Sequence, residues 1–149
     1  MKLSEPRQTP PPSFWAVALI GLAWNLFWGV DYWMTRSRNI DYLKQSGDPQ
    51  VILDWIDSFP LWAQFCWGLG VWGSVAGSVL LILRSRHAIA AFLISLVGAV
   101  GSLGYQTLFS DIPASLDTAA GKLVAVAIPL IVIFQWQFSR RAAANGVLR

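Results

Sequence analysis

The chain has few of the residues that bind metals or carry out redox chemistry. Cys66 is the one cysteine and His87 the one histidine among 149 residues. A single protomer therefore cannot form an intrachain disulfide, a thiolate metal cluster or a bis-histidine haem site. The apolar segments also lack histidines and paired carboxylates, which a catalytic nucleophile or an acid–base pair would need. We expect no catalytic residue, no metal site and no cofactor, and a protein that is not an enzyme.

Charged residues are scarce as well. They make up 13% of the chain, whereas hydrophobic residues make up 55%; a soluble domain has about 25% charged residues. The net charge of +3 comes from lysines and arginines at the ends of apolar segments. They do not form a continuous basic face that could follow a phosphate backbone. The composition argues against nucleic acid as a partner and favours the lipid bilayer.

Four apolar segments account for most of the chain, and each is long enough to cross a bilayer. About 20 helical residues, at a rise of about 1.5 Å each, cross a hydrocarbon core of ~30 Å. Lipid offers no water to the backbone of an open strand, so the segments are predicted to be helices. We predict an all-α polytopic membrane protein with one membrane domain, 1–149, and an up-down bundle of four helices. The predicted spans are 13–34, 61–83, 88–109 and 118–138.

The distribution of lysine and arginine predicts the orientation of the bundle. Loops rich in lysine and arginine stay in the cytoplasm. One side of the predicted bundle carries Lys2, Arg7, Arg84, Arg86, Arg140, Arg141 and Arg149, and the other carries Arg36, Arg38, Lys44 and Lys122. Both termini are therefore expected in the cytoplasm.

The predicted outer loop, 35–59, contains the pattern of a short amphipathic helix. Asp48 is suited to cap it, and Pro49 suits its first position. Val51, Ile52, Trp55, Ile56 and Phe59 then form an apolar face. We expect an interfacial helix lying flat on the membrane. The alternative is a lid over an outward-facing cavity.

Small residues recur every three or four positions in spans two and three. Helices in lipid associate where small residues let their backbones approach closely. We expect these two stripes to face each other, or one of them to face a second protomer. The predicted packing residues are Gly70, Gly73, Ser74, Gly77 and Ser78 in span two, and Ser95, Gly98 and Ser102 in span three.

Asn25 places a carboxamide near the middle of span one, between Gly21 and Gly29. Such a group must face protein or water. It either joins helices through hydrogen bonds, each worth about 0.6–2 kcal/mol, or contacts a ligand. In the second case a pocket at the membrane midplane would surround it. The residues at similar depth are Trp24, Trp72 and Ser74, with Pro129 expected to kink span four there.

Three further polar residues lie toward the outer ends of their spans. Asp31, Gln64 and Gln106 are each about 8 residues, or ~12 Å, from the centre of their span. They form either one polar ring or three separate, hydrated helix ends. Gln64 points about 120° away from the small-residue stripe of span two, at ~100° per residue, so the three side chains need not converge.

Several short motifs resemble a family of small four-helix inner-membrane proteins from bacteria, some of whose members are labelled sugar transporters. The resemblance spans nearly the whole chain and implies the bacterial inner membrane as the location, but it implies no catalytic residue. The motifs are Trp24-Asn25, Gly29, Asp31-Tyr32, Met34-Thr35, Pro60-x-Trp62-Ala63, Gly70-Val71-Trp72-Gly73-Ser74, Gly77-Ser78, Arg84 and Gly146-Val147-Leu148-Arg149.

Two functions of different classes follow from the sequence. The first is a non-enzymatic accessory or structural protein that forms a homo-oligomer or joins a larger membrane complex through its small-residue stripes. The alternative is an oligomeric transporter of a small solute, such as a sugar, which needs a polar path through the bundle. A proton-coupled exporter is disfavoured, because it needs a carboxylate deep in span one and Asp31 lies near the end of that span.

Overall fold

The computed structural model describes residues 8–149, which form six helices and no strand. Four of the helices are long and apolar enough to cross a membrane: α1 (Pro12–Arg36), α4 (Leu61–Ile82), α5 (His87–Leu108) and α6 (Ala119–Ala144). Two short helices, α2 (Ile40–Leu43) and α3 (Pro49–Asp57), connect α1 to α4. The predicted all-α membrane fold, with four long helices and a short one in the first long loop, is confirmed. Lys2 and Arg7, which entered the predicted orientation, lie outside the described residues.

Local chemistry sets where the helices begin. Pro12 occupies the start of α1, and the side chain of Asp48 caps α3 by accepting a hydrogen bond from the Gln50 amide at 2.9 Å. Thr118 caps α6 in the same way, through the Gly121 amide at 3.1 Å.

Because α6 continues to Ala144, it extends past the predicted span end at 138. The predicted end marks the last residue of the apolar run. The helix itself continues, because the arginines and alanines that follow have high helix propensity.

Helices α4 and α5 form a close antiparallel hairpin in which the small-residue stripes face each other. A Cβ atom built on Gly73 would lie 3.0 Å from the backbone of Ser95, and one built on Gly98 would lie 2.5 Å from the Gly70 nitrogen. Ser95 Oγ also donates a hydrogen bond of 2.6 Å to the Gly70 carbonyl. The buried members of the two stripes include Ser74, Gly77, Ser78, Ser95, Gly98 and Ser102.

Helix α1 packs on α4, and α6 packs on α5. We call the end of the bundle that carries the α4–α5 turn and residue 149 the terminal end, and the end that carries α2 and α3 the loop end. An apolar core closes the terminal end, and the chain after α6 folds back into it. The buried residues of this core are Phe14, Ala18, Leu81, Ala88, Phe92, Ala142, Val147 and Leu148.

The α4–α5 turn holds the returning chain by its backbone. The Arg149 amide donates to the Arg84 carbonyl at 2.7 Å, and the Arg86 amide donates to the Arg149 carbonyl at 2.6 Å. Arg84 has a φ of 58°, in the left-handed region that non-glycine residues seldom adopt. Its Nε donates to the Val147 carbonyl at 2.9 Å. These contacts fix the position of residues 147–149 in the terminal core.

The short helix α3 covers the loop end of the bundle. Its buried residues are Ile52, Leu53 and Ile56, which pack with Leu43 of α2, Trp67 of α4 and Leu116 of the α5–α6 loop. Arg38 Nη2 donates to both carboxylate oxygens of Asp57, at 2.9 Å and 2.8 Å, and so ties α3 to the turn after α1. The apolar face of α3 therefore contacts protein, which is the geometry of the lid alternative.

Candidate ligand cavity

A cavity of about 260 Å³ lies between α1 and α6, with α4 and α5 as its back wall and α3 over its loop end. Of the predicted polar or ligand-contact residues, Trp24, Asn25, Asp31, Ser74 and Gln106 line it. The other lining residues are Trp28, Trp55, Ile56, Phe59, Trp67, Gly70, Val71, Ala99, Ser102, Leu103, Gly121, Val124, Ala125, Ile128 and Val132.

Helix periodicity explains why α1 contributes several of these residues. Trp24, Trp28 and Asp31 follow the i, i+4, i+7 spacing that places side chains on one face of a helix. Asn25 lies beside Trp24 on the adjoining stripe and is 2% exposed. One face of α1 therefore presents two indoles, a carboxylate and a carboxamide to the same space.

Asn25 forms the floor of the cavity and joins three helices. Its Nδ2 donates to Ser78 Oγ at 2.7 Å, to the Ser74 carbonyl at 3.2 Å and to Gln135 Oε1 at 3.2 Å. Within residues 8–149 its Oδ1 accepts no hydrogen bond. The amide group thus holds α1, α4 and α6 together, and its carbonyl oxygen is free to accept a hydrogen bond from a ligand.

Gln135 completes this network, although it was not among the predicted site residues. Gln135 is 3% exposed in α6, and Ser139 one turn later is 0% exposed and donates to the Gln135 carbonyl at 2.8 Å. Two polar residues separated by one helical turn inside an apolar span were the available signal. Their pairing with Asn25 depends on the rotation of α6 about its axis, which the sequence pattern does not give.

The Asn25→Leu substitution should lower the free energy of unfolding by about 1–3 kcal/mol, because it leaves the buried amide of Gln135 without a partner. The Gln135→Leu change should cost a similar amount. The double variant should lose less than the sum of the two, since removing both partners leaves no unsatisfied group. Thermal unfolding of the three variants in detergent measures this coupling. Strictly additive losses would contradict the bond between Asn25 and Gln135.

Asp31 lies nearer the loop end of the cavity, where Tyr42 of α2 holds its side chain. Tyr42 Oη donates a hydrogen bond of 2.8 Å to Asp31 Oδ1. Burial, together with this hydrogen bond and the charge of Asp31, raises the pKa of Tyr42 to about 12. The phenol therefore stays protonated at neutral pH and remains a donor. Asp31 Oδ2 accepts no hydrogen bond within residues 8–149.

Aromatic rings enclose much of the remaining space. Trp24 and Trp28 of α1 meet edge to face at 5.7 Å, and Trp55 and Phe59 meet edge to face at 5.1 Å over the loop end. Trp67 adds a fifth ring from α4. Trp28, Trp55 and Trp67 were not among the predicted site residues. The spacing of one turn between Trp24 and Trp28, and the apolar face that contains Trp55, were the signals for two of them.

Two predicted site residues lie outside the cavity. Trp72 is 45% exposed and packs against Tyr32, because α4 turns Val71 and Ser74 toward the cavity and Trp72 away from it. Gln64 donates to the Phe59 carbonyl at 2.9 Å and accepts a hydrogen bond of 2.9 Å from Arg36. The predicted polar ring is therefore incomplete, because Asp31 and Gln106 line the cavity and Gln64 does not.

Gln106 lies in the cavity wall on α5, and its Nε2 donates to Ser102 Oγ at 3.0 Å. Among residues 8–149, no group of three His, Cys, Asp or Glu side chains is placed to hold a metal ion. The groups available for recognition are therefore one carboxylate, two carboxamides, two serines and a set of aromatic faces.

No family model, curated protein or solved structure matches this chain. The chemistry of the cavity is therefore the guide to its function.

Proposed function

We propose that this small integral membrane protein binds a small organic solute in the cavity and transports it across the membrane. The observation that carries the proposal is the depth of the cavity, which extends from α3 at the loop end to Asn25 near the middle of α1. Polar and ionisable groups at membrane depth are costly and mark substrate pathways. Here Asp31, Asn25 and Gln106 all face one cavity.

The structure of the bundle below the cavity also supports transport. The cavity ends on the network of Asn25, Ser78 and Gln135, and the apolar core of the terminal end lies beyond this network. A transporter exposes its site to one side of the membrane at a time, so one end must be closed while the other is accessible. The bond from Asn25 to Gln135 joins α1 to α6 at the floor, and a movement of α6 away from α1 would break it.

The accessory role predicted from the sequence required a small-residue stripe free to dock on a partner. In the structure, the stripes of α4 and α5 pack against each other, with Gly70 and Gly73 of α4 against Ala99 and Ser95 of α5. Neither of these stripes is therefore available to a partner. Transport has the stronger support for this reason.

The proposal also includes the orientation, the membrane and the oligomeric state of the transporter. The bias of lysine and arginine toward the terminal end favours a cytoplasmic location for both termini, so α3 and the loop end would face outward. The resemblance to small inner-membrane proteins from bacteria favours the bacterial inner membrane. The space between the four helices is only about 260 Å³, and this small volume favours an oligomer as the working unit.

A bulky residue in the cavity should abolish solute binding. Ala125 lines the cavity from α6, whereas the next residue, Val126, is 59% exposed on the outer surface of that helix. A cavity of about 150 Å³ accommodates benzene, so the phenyl ring of Ala125→Phe would fill much of the space. Val126→Phe adds a similar ring where it contacts lipid, and serves as the matched control.

Binding is measured on the purified full-length protein in detergent, by tryptophan fluorescence and by thermal unfolding. The probes are glucose, choline and 3,3-dimethylbutan-1-ol. We expect at least one probe to bind the wild-type protein and Val126→Phe equally, and to bind Ala125→Phe at least tenfold more weakly. Equal binding to both variants would place the solute elsewhere, and the absence of binding by all three probes would contradict the proposed function.

A further inference from the structure

Asp31 brings a negative charge into the cavity that no cation of the described residues neutralises. The three ion pairs found in residues 8–149 are Arg38–Asp57, Lys44–Asp41 and Lys122–Asp117. Asp31 belongs to none of them, and its one hydrogen bond comes from the neutral phenol of Tyr42. A carboxylate in largely apolar surroundings is stabilised by a positive partner. The site lacks that partner, and a cationic ligand would supply it.

The basic residues near the loop end are engaged elsewhere. Arg36 donates a hydrogen bond to Gln64, and Arg38 Nη2 donates to both carboxylate oxygens of Asp57. Lys122, which follows the lining residue Gly121, lies 3.0 Å from a carboxylate oxygen of Asp117. None of these three side chains is bonded to Asp31. The position next to its carboxylate is therefore available to a cationic ligand.

The aromatic rings of the cavity also favour a positively charged ligand. The face of an indole or phenyl ring carries negative potential and attracts a cation, which is how aromatic cages recognise quaternary ammonium groups. Trp24 and Trp28 are inclined at 71° and Trp55 and Phe59 at 87°. The two rings of each pair are therefore steeply inclined, with Trp24 and Trp28 on α1, Trp55 on α3 and Phe59 just after α3.

We propose, on the basis of the proposed solute-binding function, that the ligand is a small organic ammonium ion whose positive charge lies between Asp31 and the indole faces. A cavity that takes benzene has about 150 Å³. The cavity of about 260 Å³ therefore suits a molecule of roughly ten non-hydrogen atoms. The free oxygen of Asn25 can accept a hydrogen bond from a hydroxyl or N–H group at the other end of such a ligand.

Other ligand classes fit these groups less well. A sugar would satisfy Asn25 and Gln106 with neutral hydroxyls and would leave the charge of Asp31 without compensation. An inorganic cation such as Mg²⁺ or Ca²⁺ requires about six or more oxygen ligands. The walls next to Asp31 offer mainly aromatic rings. An organic ammonium ion uses both the carboxylate and the rings.

Choline and 3,3-dimethylbutan-1-ol are a direct test of the charge, because they share shape and hydroxyl group and differ in a positive nitrogen against a neutral carbon. We expect the wild-type full-length protein in detergent to bind choline at least tenfold more tightly than the neutral alcohol. Asp31→Asn should weaken choline binding at least tenfold and weaken binding of the alcohol by a clearly smaller factor. Asp41→Asn, which removes an equal charge 3.4 Å from Lys44 on α2, should change neither.

The outcomes separate this inference from the function on which it rests. If the alcohol or glucose bound as tightly as choline, the cavity would bind solutes without selecting cations, and the inference would be overturned while solute binding stood. If no probe bound, the proposed function itself would fail. If Asp31→Asn did not fold, the comparison of choline with the alcohol on the wild-type protein would still decide the matter. Trp55→Leu, which removes a ring, should then weaken choline binding more than alcohol binding.

Discussion

Gly98→Ala should destabilise the bundle by about 1–3 kcal/mol or more, although it adds a single methyl group. A Cβ atom at this position would lie 2.5 Å from the Gly70 nitrogen, 2.6 Å from the Cys66 carbonyl oxygen and 2.9 Å from Leu69 Cβ. Two of these neighbours are backbone atoms, which cannot rotate out of the way as the end of a side chain can. The α4–α5 hairpin would have to separate.

Gly104→Ala is the matched control in the same helix. A Cβ atom there would meet no heavy atom within 4 Å. Alanine favours the helix over glycine by about 1 kcal/mol, so this variant should unfold at the same temperature as the wild-type protein or slightly higher. Thermal unfolding of both variants in the same detergent gives the comparison. Equal melting temperatures would mean that α4 and α5 do not pack through Gly98 and Gly70.

The span positions could be predicted because hydropathy is a local property. Each apolar run specifies its own helix, and the capping pattern of Asp48 and Pro49 predicts α3 without reference to the rest of the chain. The mutual packing of Gly70, Gly73 and Gly98 follows from a similar local signal, since small residues at a spacing of three or four define a face on which backbones can approach.

The composition of the cavity depends on how each helix is rotated about its axis, and four apolar helices in lipid leave that rotation weakly specified by sequence. Trp24 and Trp72 are expected at similar depth from the sequence, yet Trp24 lines the cavity whereas Trp72 lies beside Gly29 and Tyr32, nearer the loop end. Gln135 lies 110 residues from Asn25 in the chain and bonds to it across the bundle. The lid position of α3 likewise depends on contacts with Trp67 of α4 and Leu116 of the α5–α6 loop, which the local pattern of α3 does not specify.

The segment after α6 should contribute strongly to stability at the terminal end. Leu148 is 2% exposed and belongs to the cluster that contains Phe14, Leu81 and Phe92. Leu148→Ala should lower the free energy of unfolding by about 2–5 kcal/mol, since it removes buried methyl groups and leaves a cavity that the surroundings fill only in part. Leu83 is 68% exposed at the end of α4, so Leu83→Ala should cost less than about 0.5 kcal/mol.

Hydrogen exchange distinguishes loss of this packing from a general weakening of the bundle. The amides of Arg86 and Arg149 are bonded between the α4–α5 turn and the final residue. In Leu148→Ala, they should exchange faster than the amides in the middle of α4 and α5, because the local contact opens before the hairpin separates. In Leu83→Ala, all of these amides should keep the protection of the wild-type protein. If Leu148→Ala left both amides protected and the melting temperature unchanged, residues 147–149 would not hold the terminal end closed.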